Sequence, residues 1–518
     1  MRMTEGLEAV LTPEQMRAFE RAAFANGVDP LLLMEDAARA MYGVLEPLMK
    51  ERGCRRVLVA CGPGNNGGDG AAMARLLLRD GYEPLLLAAD EPKTASARAM
   101  RAYYEALGGA VISWTERDCP EEREREIAGF RPDCVVDALF GTGFRGMPEG
   151  RYHRIIERIN GLSSPVVFAV DIPSGMNGED GSAAFDTDGG EPVCVRATHT
   201  ACLGCWKPGL FLTRAAGCVG EPQLVPIALP EEAPRTELRM ITPAAMRWIR
   251  PRPVDAHKGT AGRILMYMGS AGMAGAAAMA ARAALRAGAG LVTVACPREI
   301  IPVLQALVPN AMCVPAETLS ERVPPHDVLA AGCGLGQGTD ALQTLKMLLA
   351  RETGTAVLDA DALNLLAENP MDLPDKTVIT PHPGEAARLM RASAQAVLED
   401  PLGTARELAE RYRAVALLKG HVSLASDGRQ VLFQRRGGPA LAKGGSGDAL
   451  TGILAALCAD RGIVTPGEAR ERLLYKAALA SLWLGLAGER AQRAWGDRSA
   501  LTGEVVDLLP EVLAGGPV

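Results

Sequence analysis

Clustered lysine and arginine are missing from this 518-residue chain. Its formal net charge of −7 argues against nucleic acid as the main partner, because a phosphate backbone demands concentrated positive charge. Long apolar runs are missing too. The most sustained, residues 276–285, is alanine-rich and interrupted by Arg282, well short of a membrane span. The opening stretch MRMTEGLEAVLTPEQ lacks the basic start and apolar core of a secretion signal. Twelve cysteines over so long a chain do not make a disulfide framework, and Cys134, Cys296 and Cys458 lie in apolar runs where cysteine acts as a small core residue. The one CxxC, Cys202 to Cys205, has no second pair at zinc-finger spacing and does not open a helix, which argues against a metal or redox role. These absences leave a cytoplasmic enzyme as the expectation, with no membrane and no nucleic acid as partner.

What is present is an ordinary globular composition, 48% apolar and 23% charged, over a length that exceeds one hydrophobic core and predicts two domains. Seven prolines between residues 222 and 253, mixed with charges, mark an exposed connection. The cut falls near Arg235, giving domains 1–235 and 236–518. Both halves alternate short apolar runs, glycine-rich turns and helical stretches, the pattern of α/β folds with parallel sheets.

In the first half, Arg56 to Cys61 (RVLVAC) reads as a buried strand, and Gly62-Pro-Gly-Asn-Asn-Gly-Gly-Asp69 turns it into a helix. Gly62, Gly64 and Gly67 satisfy G-x-G-x-x-G, and Asp90 follows at the distance of a ribose-binding acid, so a nicotinamide dehydrogenase is one reading. Against it, a carboxylate at Asp69 would repel a pyrophosphate. Asn65, Asn66 and Asp69 suit sugar hydroxyls or a cation instead. Two further strand ends carry Asp137 before Phe140-Gly-Thr-Gly143, and Asp171-Ile-Pro-Ser-Gly175. Each of these residues alone is an ordinary turn former. Three such corners in register converge on one crevice outside the carboxyl ends of the strands.

GNNGGDG, DALFGTG and VDIPSG, followed by Lys207-Pro-Gly-Leu, resemble the NAD(P)H-hydrate epimerase domain over roughly residues 10 to 230. The resemblance implies a Rossmann-like three-layer αβα fold that takes hydrated NADH or NADPH as substrate. It implies a substrate site at Asn65, Asn66, Gly67, Gly68 and Asp69 and at Gly141, Thr142, Gly143, Phe144, Arg145, Gly146 and Met147. It further implies K⁺ held by Asn66, Asp137 and Ser174, and Asp171 as substrate contact and catalytic acid/base. The family's MENAG-like segment is here Met34-Glu-Asp-Ala-Ala38, and an acidic segment, Glu121 to Glu126, lengthens a surface connection.

The second half is organised around Leu441 to Gly452, LAKGGSGDALTG. Four glycines and a serine lead into an apolar helix whose first N–H groups are free to hold an anion. No Lys and Ser/Thr follow the last glycine, so this is not a Walker A loop. Asp448 at the helix start either caps it or takes a proton from a hydroxyl about to attack a phosphate. Further strand ends carry Gly332-Cys-Gly-Leu-Gly336, Asp359-Ala-Asp, Pro381-His-Pro-Gly-Glu385 and Lys419-Gly-His-Val-Ser423. His382 reads either as a satisfied structural histidine or as a substrate contact, and Lys419 as a phosphate ligand or a plain strand-end lysine.

HKGTAGRILMYMGS, GAGLVTVA, DADAL, TPHPGE and AKGGSGDALTG resemble the ADP- or ATP-dependent NAD(P)H-hydrate dehydratases of the ribokinase-like superfamily, over about residues 240 to 515. The resemblance implies that Ala276, Gly334, His382 and Asp448 contact the hydrate, with Asp448 catalytic. It implies adenine-nucleotide binding by Lys419, Gly420, His421, Val422 and Ser423 and by Gly444, Gly445, Ser446 and Gly447. Mg²⁺ and ADP, as phosphoryl donor, are the implied cofactors. The departures are Cys333, where proline is commoner, and His421-Val422, where smaller residues are common. Together the halves resemble the bifunctional NAD(P)H-hydrate repair family, and a homo-oligomer is expected. The competing readings are a vitamin-salvage kinase fused to a cofactor-binding module, for which GSGD fits equally well, and a first half without activity.

Overall fold

The computed structural model describes residues 6–114, 120–183, 192–212, 216–230, 234–463, 465 and 467–515. The start of the opening stretch, residues 1–5, and residues 231–233 of the proline-rich connection lie outside the described residues. The chain divides into two compact units, one of residues 9–236 and one of residues 237–518 together with the first eight residues. The cut lies beside the expected one. The assignment of residues 1–8 differs, because β1 (Leu7–Ala9) adds an edge strand to the sheet of the second unit.

The unit of residues 9–236 holds β2 (Arg56–Cys61), β3 (Glu83–Ala88), β4 (Ala110–Ser113), β5 (Cys134–Ala138), β6 (Val166–Val170), β7 (His199–Leu203) and β8 (Glu221–Val225) in the order β4-β3-β2-β5-β6-β7-β8. All of its pairings are parallel. Alternation along β2 explains the three layers. Val57, Val59 and Cys61 pack against Met41 and Leu45 of α2 (Pro30–Arg52) and Met73 and Leu77 of α3 (Asn65–Arg79). Leu58 and Ala60 face the other way, onto Ile155, Ile156 and Ile159. A parallel strand buried on both faces must be apolar throughout, which is why RVLVAC shows no polar alternation. The helix preceding α2, α1 (Pro13–Ala25), is set by a Thr12 capping box with proline in its first turn, as Thr12-Pro13-Glu14 predicts. The acidic segment Glu121 to Glu126 lies in a surface helix, Pro120–Phe130.

The second unit contains an eleven-stranded sheet in the order β1-β9-β18-β17-β16-β15-β14-β13-β10-β11-β12. Its strands are β9 (Leu238–Ile241), β10 (Arg263–Tyr267), β11 (Leu291–Cys296), β12 (Met312–Pro315), β13 (Val328–Ala331), β14 (Thr355–Leu358), β15 (Thr377–Ile379), β16 (Val415–Leu418), β17 (Ser423–Ser426) and β18 (Val431–Gln434). From β12 through to β16 the pairings are parallel. The uniform α/β alternation expected from the sequence ends there, for β16, β17 and β18 pair antiparallel. Only four residues separate β16 from β17, too few for a parallel crossover and enough for a hairpin. Helices Ala274–Arg286, Ser446–Ala459 and Ala469–Ser499 cover one face with a large alanine- and leucine-rich core. Among the described residues no helix is long and apolar enough to cross a membrane.

Candidate active sites

In each unit the sheet order reverses at one point, and a doubly wound sheet offers its ligand crevice there, beyond the strand carboxyl ends. In the unit of residues 9–236 the reversal lies between β2 and β5, where a cavity of about 610 Å³ opens. Asn65, Asn66, Asp69, the loop Gly141 to Arg145, and Asp171 all line it, so three of the motifs singled out in the sequence meet. Gly67, Gly68, Gly146 and Met147 are not on its wall. Gly67 has a packing role: a Cβ there would stand 1.9 Å from the Gly62 carbonyl oxygen. The glycines of this turn thus admit close backbone approach. Asn65 and Asn66 occupy the first turn of α3, which no side chain caps.

Asp171 follows β6 with φ of 67°, a left-handed conformation that a non-glycine residue holds only when its surroundings enforce it. Hydrogen bonds to the Asp171 carboxylate enforce it. Lys207 Nζ donates to Asp171 Oδ1 at 2.6 Å and to the Leu203 carbonyl at 2.6 Å, and the Leu203 amide donates to the same Oδ1 at 3.2 Å. Lys207 is 1% exposed. Burial works against its ammonium, but the Asp171 carboxylate beside it more than compensates and holds its pKa above the usual lysine range. Asp69 sits in the same cavity with its carboxyl pushed well up by burial and then by Asp171 and Glu20. Glu20, on α1, is also pushed up, by burial and by Asp171, with Lys207 and Arg17 opposing.

Behind this wall, Asp137 is fully buried. It accepts from the Ser174 amide (2.8 Å), the Ser174 hydroxyl (2.6 Å) and the Leu139 amide (3.3 Å). Burial nevertheless pushes its carboxyl up to about 6, since no positive group answers its charge. Ser174 Oγ accepts from the Phe140 amide at 2.8 Å, and the buried Asn66 Nδ2 has no partner. The three residues expected to hold K⁺ therefore belong to adjoining strand-end loops that join one carboxylate to amide and hydroxyl oxygens.

Sequence reasoning missed Glu20, Arg17 and Met34 on the cavity wall, and noted Lys207 only within a motif. A charged residue on an amphipathic helix looks the same in sequence whether it meets water or a crevice. Cys202 and Cys205 lie beside this wall without forming a redox pair: the Cys202 thiol donates to the Cys205 carbonyl at 3.2 Å, and burial pushes both thiols up.

In the second unit the reversal lies between β10 and β13. Here Gly334, with φ of 61°, packs against Ala276; a Cβ on it would stand 3.0 Å from the Ala276 methyl. Asp448 is the third residue of helix Ser446–Ala459, after Gly445 at φ 95°. Burial pushes its carboxyl up to about 6, a Cys333 hydrogen bond pulling it down, Asp359 pushing it up and Lys419 pulling it down. The first amides of this helix have no intrahelical acceptor, and Ser446 Oγ beside them is buried without a partner. Such a set of unanswered donors fits a phosphate group.

Lys419, at the end of β16, donates to Asp359 Oδ1 at 2.6 Å and lies 3.7 Å from Glu385 Oε2. Burial disfavours its charge, yet Asp359 and Glu385 together hold its pKa above the ordinary value. Asp359 is 2% exposed and also accepts from Thr451 Oγ1 at 2.9 Å. His382 takes the structural reading. Its Nδ1 accepts from the Gly384 amide at 3.0 Å as a helix cap, while half of the ring remains exposed. Gly420 and His421 are exposed in the hairpin turn, and Ser423 is buried at the start of β17. Gly444 turns its carbonyl to Thr502 Oγ1 at 2.9 Å. Gly447 lies over the ion pair, a Cβ there falling 3.4 Å from Asp359 and 3.6 Å from Lys419.

Two family models match the chain: "YjeF-related protein N-terminus" over residues 31–209 and "NAD(P)H-hydrate dehydratase" over residues 264–510. The bifunctional NAD(P)H-hydrate repair enzyme Nnr of Moorella thermoacetica is 37% identical, over 97% of this chain and 96% of its own. The enzyme of the same name from Escherichia coli is 36% identical, over 86% of this chain and 84% of its own. A solved ADP/ATP-dependent NAD(P)H-hydrate dehydratase from Bacillus subtilis, co-crystallised with ATP and Mg²⁺, is 26% identical with a TM-score of 0.47, over 53% of this chain and 96% of that one. Identity at this level along nearly the whole of both chains places this protein in the family of bifunctional NAD(P)H-hydrate repair enzymes, which carry an epimerase and a dehydratase domain on one chain.

Proposed function

We propose that the first unit interconverts the R and S hydrates of NADH and NADPH, and that the second dehydrates the S form with ADP, or ATP, as phosphoryl donor. With ADP the products are NAD(P)H, AMP and phosphate. The observation that carries the dehydratase half is the half-buried Asp448 carboxyl beside a helix start whose donors, Ser446 Oγ included, are unanswered. Hydroxide is a poor leaving group from C6 of the hydrated ring. Asp448 takes the proton of the C6 hydroxyl, and that oxygen attacks the terminal phosphate of the nucleotide. The amides and hydroxyl at Gly444 to Gly447 steady the transferring group. The phosphate ester then departs with help from the ring nitrogen lone pair, and loss of the C5 proton restores the reduced ring. Among the described residues no three His, Cys, Asp or Glu side chains gather at metal-binding distance. This suits Mg²⁺ carried largely by nucleotide phosphates and water.

In the epimerase half the C6 hydroxyl leaves as water through a planar iminium and water returns to either face. The ion pair with Lys207 keeps Asp171 ready to receive the proton of the incoming water. Asp137, Ser174 and Asn66 offer the oxygens that fit K⁺, whose charge would order the two loops they anchor. Asp137→Asn removes the one full negative charge of that set. KCl is expected to raise the thermal midpoint of the wild-type protein relative to choline chloride, and to lose most of that effect in the variant.

Incubating the protein with hydrated NADH plus ADP or ATP, while following reduced-cofactor absorbance and inorganic phosphate together, tests the whole scheme. Equal appearance of both is expected. A stable phosphorylated product without NADH would mark a small-molecule kinase instead.

The raised Asp448 carboxyl sets a pH dependence. A base must be ionised, so kcat/KM for S-hydrate is expected to fall as pH drops through about 6 and to level off above it. Stability runs the other way. Because burial favours the protonated form, the folded state gains from Asp448 at low pH and loses that gain as pH rises through about 6. Asp448→Asn, which cannot ionise, is expected to match the wild type near pH 4 and to exceed it by roughly 1–3 kcal/mol at pH 8, read by denaturant unfolding.

A further inference from the structure

An exchange between R and S hydrates needs a proton given to the leaving hydroxyl and a proton taken from the water that returns. Asp171 meets one of these needs: its Oδ1 accepts from the buried Lys207 ammonium at 2.6 Å and from the Leu203 amide at 3.2 Å, so a second group is required for the other. The cavity wall supplies two further carboxyls. Asp69 reaches it from α3 and Glu20 from α1, so that with Asp171 and Lys207 four ionisable groups from four separate segments share one space of about 610 Å³.

Resting on the epimerase reading of this cavity, we propose that Glu20 is the proton donor to the departing C6 hydroxyl, acting across the ring from Asp171, with Asp69 passing the proton back between them. Glu20 is the better placed of the two remaining carboxyls. It is partly open to water at the wall, shares the cavity with Asp69, Asp171 and Lys207, and feels the charges of Asp171, Lys207 and Arg17 of its own helix. Burial and the Asp171 charge favour its protonated state; the two cations oppose this. Asp69, 8% exposed, feels both Asp171 and Glu20.

The balance closes without a co-reactant. Glu20 gives its proton as the C6–O bond breaks, leaving water, the iminium and a Glu20 carboxylate. Water adds to the opposite face, the new C6–O bond forms, and Asp171 takes the released proton. Transfer from Asp171 through Asp69 to Glu20 restores the starting state. Run from the other epimer, the path is retraced, Asp171 giving its proton to the leaving hydroxyl and Glu20 taking that of the incoming water, so no net proton is consumed.

The test uses the full chain and pure R-hydrate, followed by chromatography, with ADP-driven recovery of NADH from pure S-hydrate as internal control. Glu20→Gln is expected to slow R-to-S conversion at least 100-fold in kcat with KM within about 3-fold, while recovery from S-hydrate stays at the wild-type rate. Wild-type interconversion is expected to decline at alkaline pH, as Glu20 loses its proton, and the residual Glu20→Gln activity to lack that decline. Formate is expected to restore part of the rate to Glu20→Ala, and this arm decides if the amide variant disturbs the first unit. Conversion by Glu20→Gln within about 3-fold of wild type, or no response of Glu20→Ala to formate, overturns the role given to Glu20. Wild-type protein no faster than the enzyme-free exchange would instead remove the epimerase reading on which it rests.

Discussion

Asp448→Asn is expected to lower ADP-driven recovery of NADH from S-hydrate by about 10⁴-fold, at the upper end of what removal of a general base costs, with ADP affinity changed no more than a few-fold. The asymmetry follows from where the carboxyl stands. In the proposed scheme the phosphate contacts come from the amides of Gly444 to Gly447 and from Ser446 Oγ, which the substitution leaves in place, and the asparagine amide still fills the space beside Cys333. What is lost is the one acceptor that takes the hydroxyl proton as the oxygen attacks phosphorus. Lys419 and Asp359 cannot stand in, because each is committed to the other at 2.6 Å. Single-turnover formation of AMP checks the chemical step and a competition titration with ADP checks binding. Turnover within tenfold of wild type would move the base elsewhere.

Asp171→Ala is expected to reduce R/S interconversion by about 10³-fold, while dehydration of pure S-hydrate proceeds unchanged. Two losses combine. The base for the incoming water disappears, and Lys207, 1% exposed, is left as a buried ammonium with the Leu203 carbonyl as its remaining oxygen partner. An unpaired buried charge is costly, so this variant is also expected to unfold its first transition at lower temperature. Asp171→Ala with Lys207→Met should recover that stability without recovering interconversion, which separates the structural share from the chemical one. Restored conversion in the double variant would remove Asp171 from the mechanism.

The two halves differ in how much of each site the motifs revealed. In the second half the chemistry was nearly complete in LAKGGSGDALTG, because one helix start brings the anion-binding amides and the acid together within a few residues. For His382 the structure supplies the cap through Gly384 and leaves half the ring exposed, whereas TPHPGE alone left a structural role and a substrate contact as alternatives. In the first half GNNGGDG, DALFGTG and VDIPSG pointed to the right wall of the cavity. The opposite wall, contributed by α1, carried no signal, since Arg17 and Glu20 read as the solvated face of an amphipathic helix. For Gly67 the fold supplies a reason that the motif did not carry: a side chain there would collide with the Gly62 carbonyl.

What the sequence determined by itself was everything carried by local spacing: strands apolar on both faces, glycine turns at their carboxyl ends, a helix start with free amides, and two α/β units joined near residue 235. Tertiary structure alone decided which charges answer one another. The Lys207–Asp171 and Lys419–Asp359 pairs span 36 and 60 residues, and β1 is placed in the sheet of residues 237–518, beside β9. The physical reason is that hydrogen bonding within a helix or turn is written in neighbouring residues, whereas the energy of a buried charge depends on what the completed fold brings within a few ångströms of it.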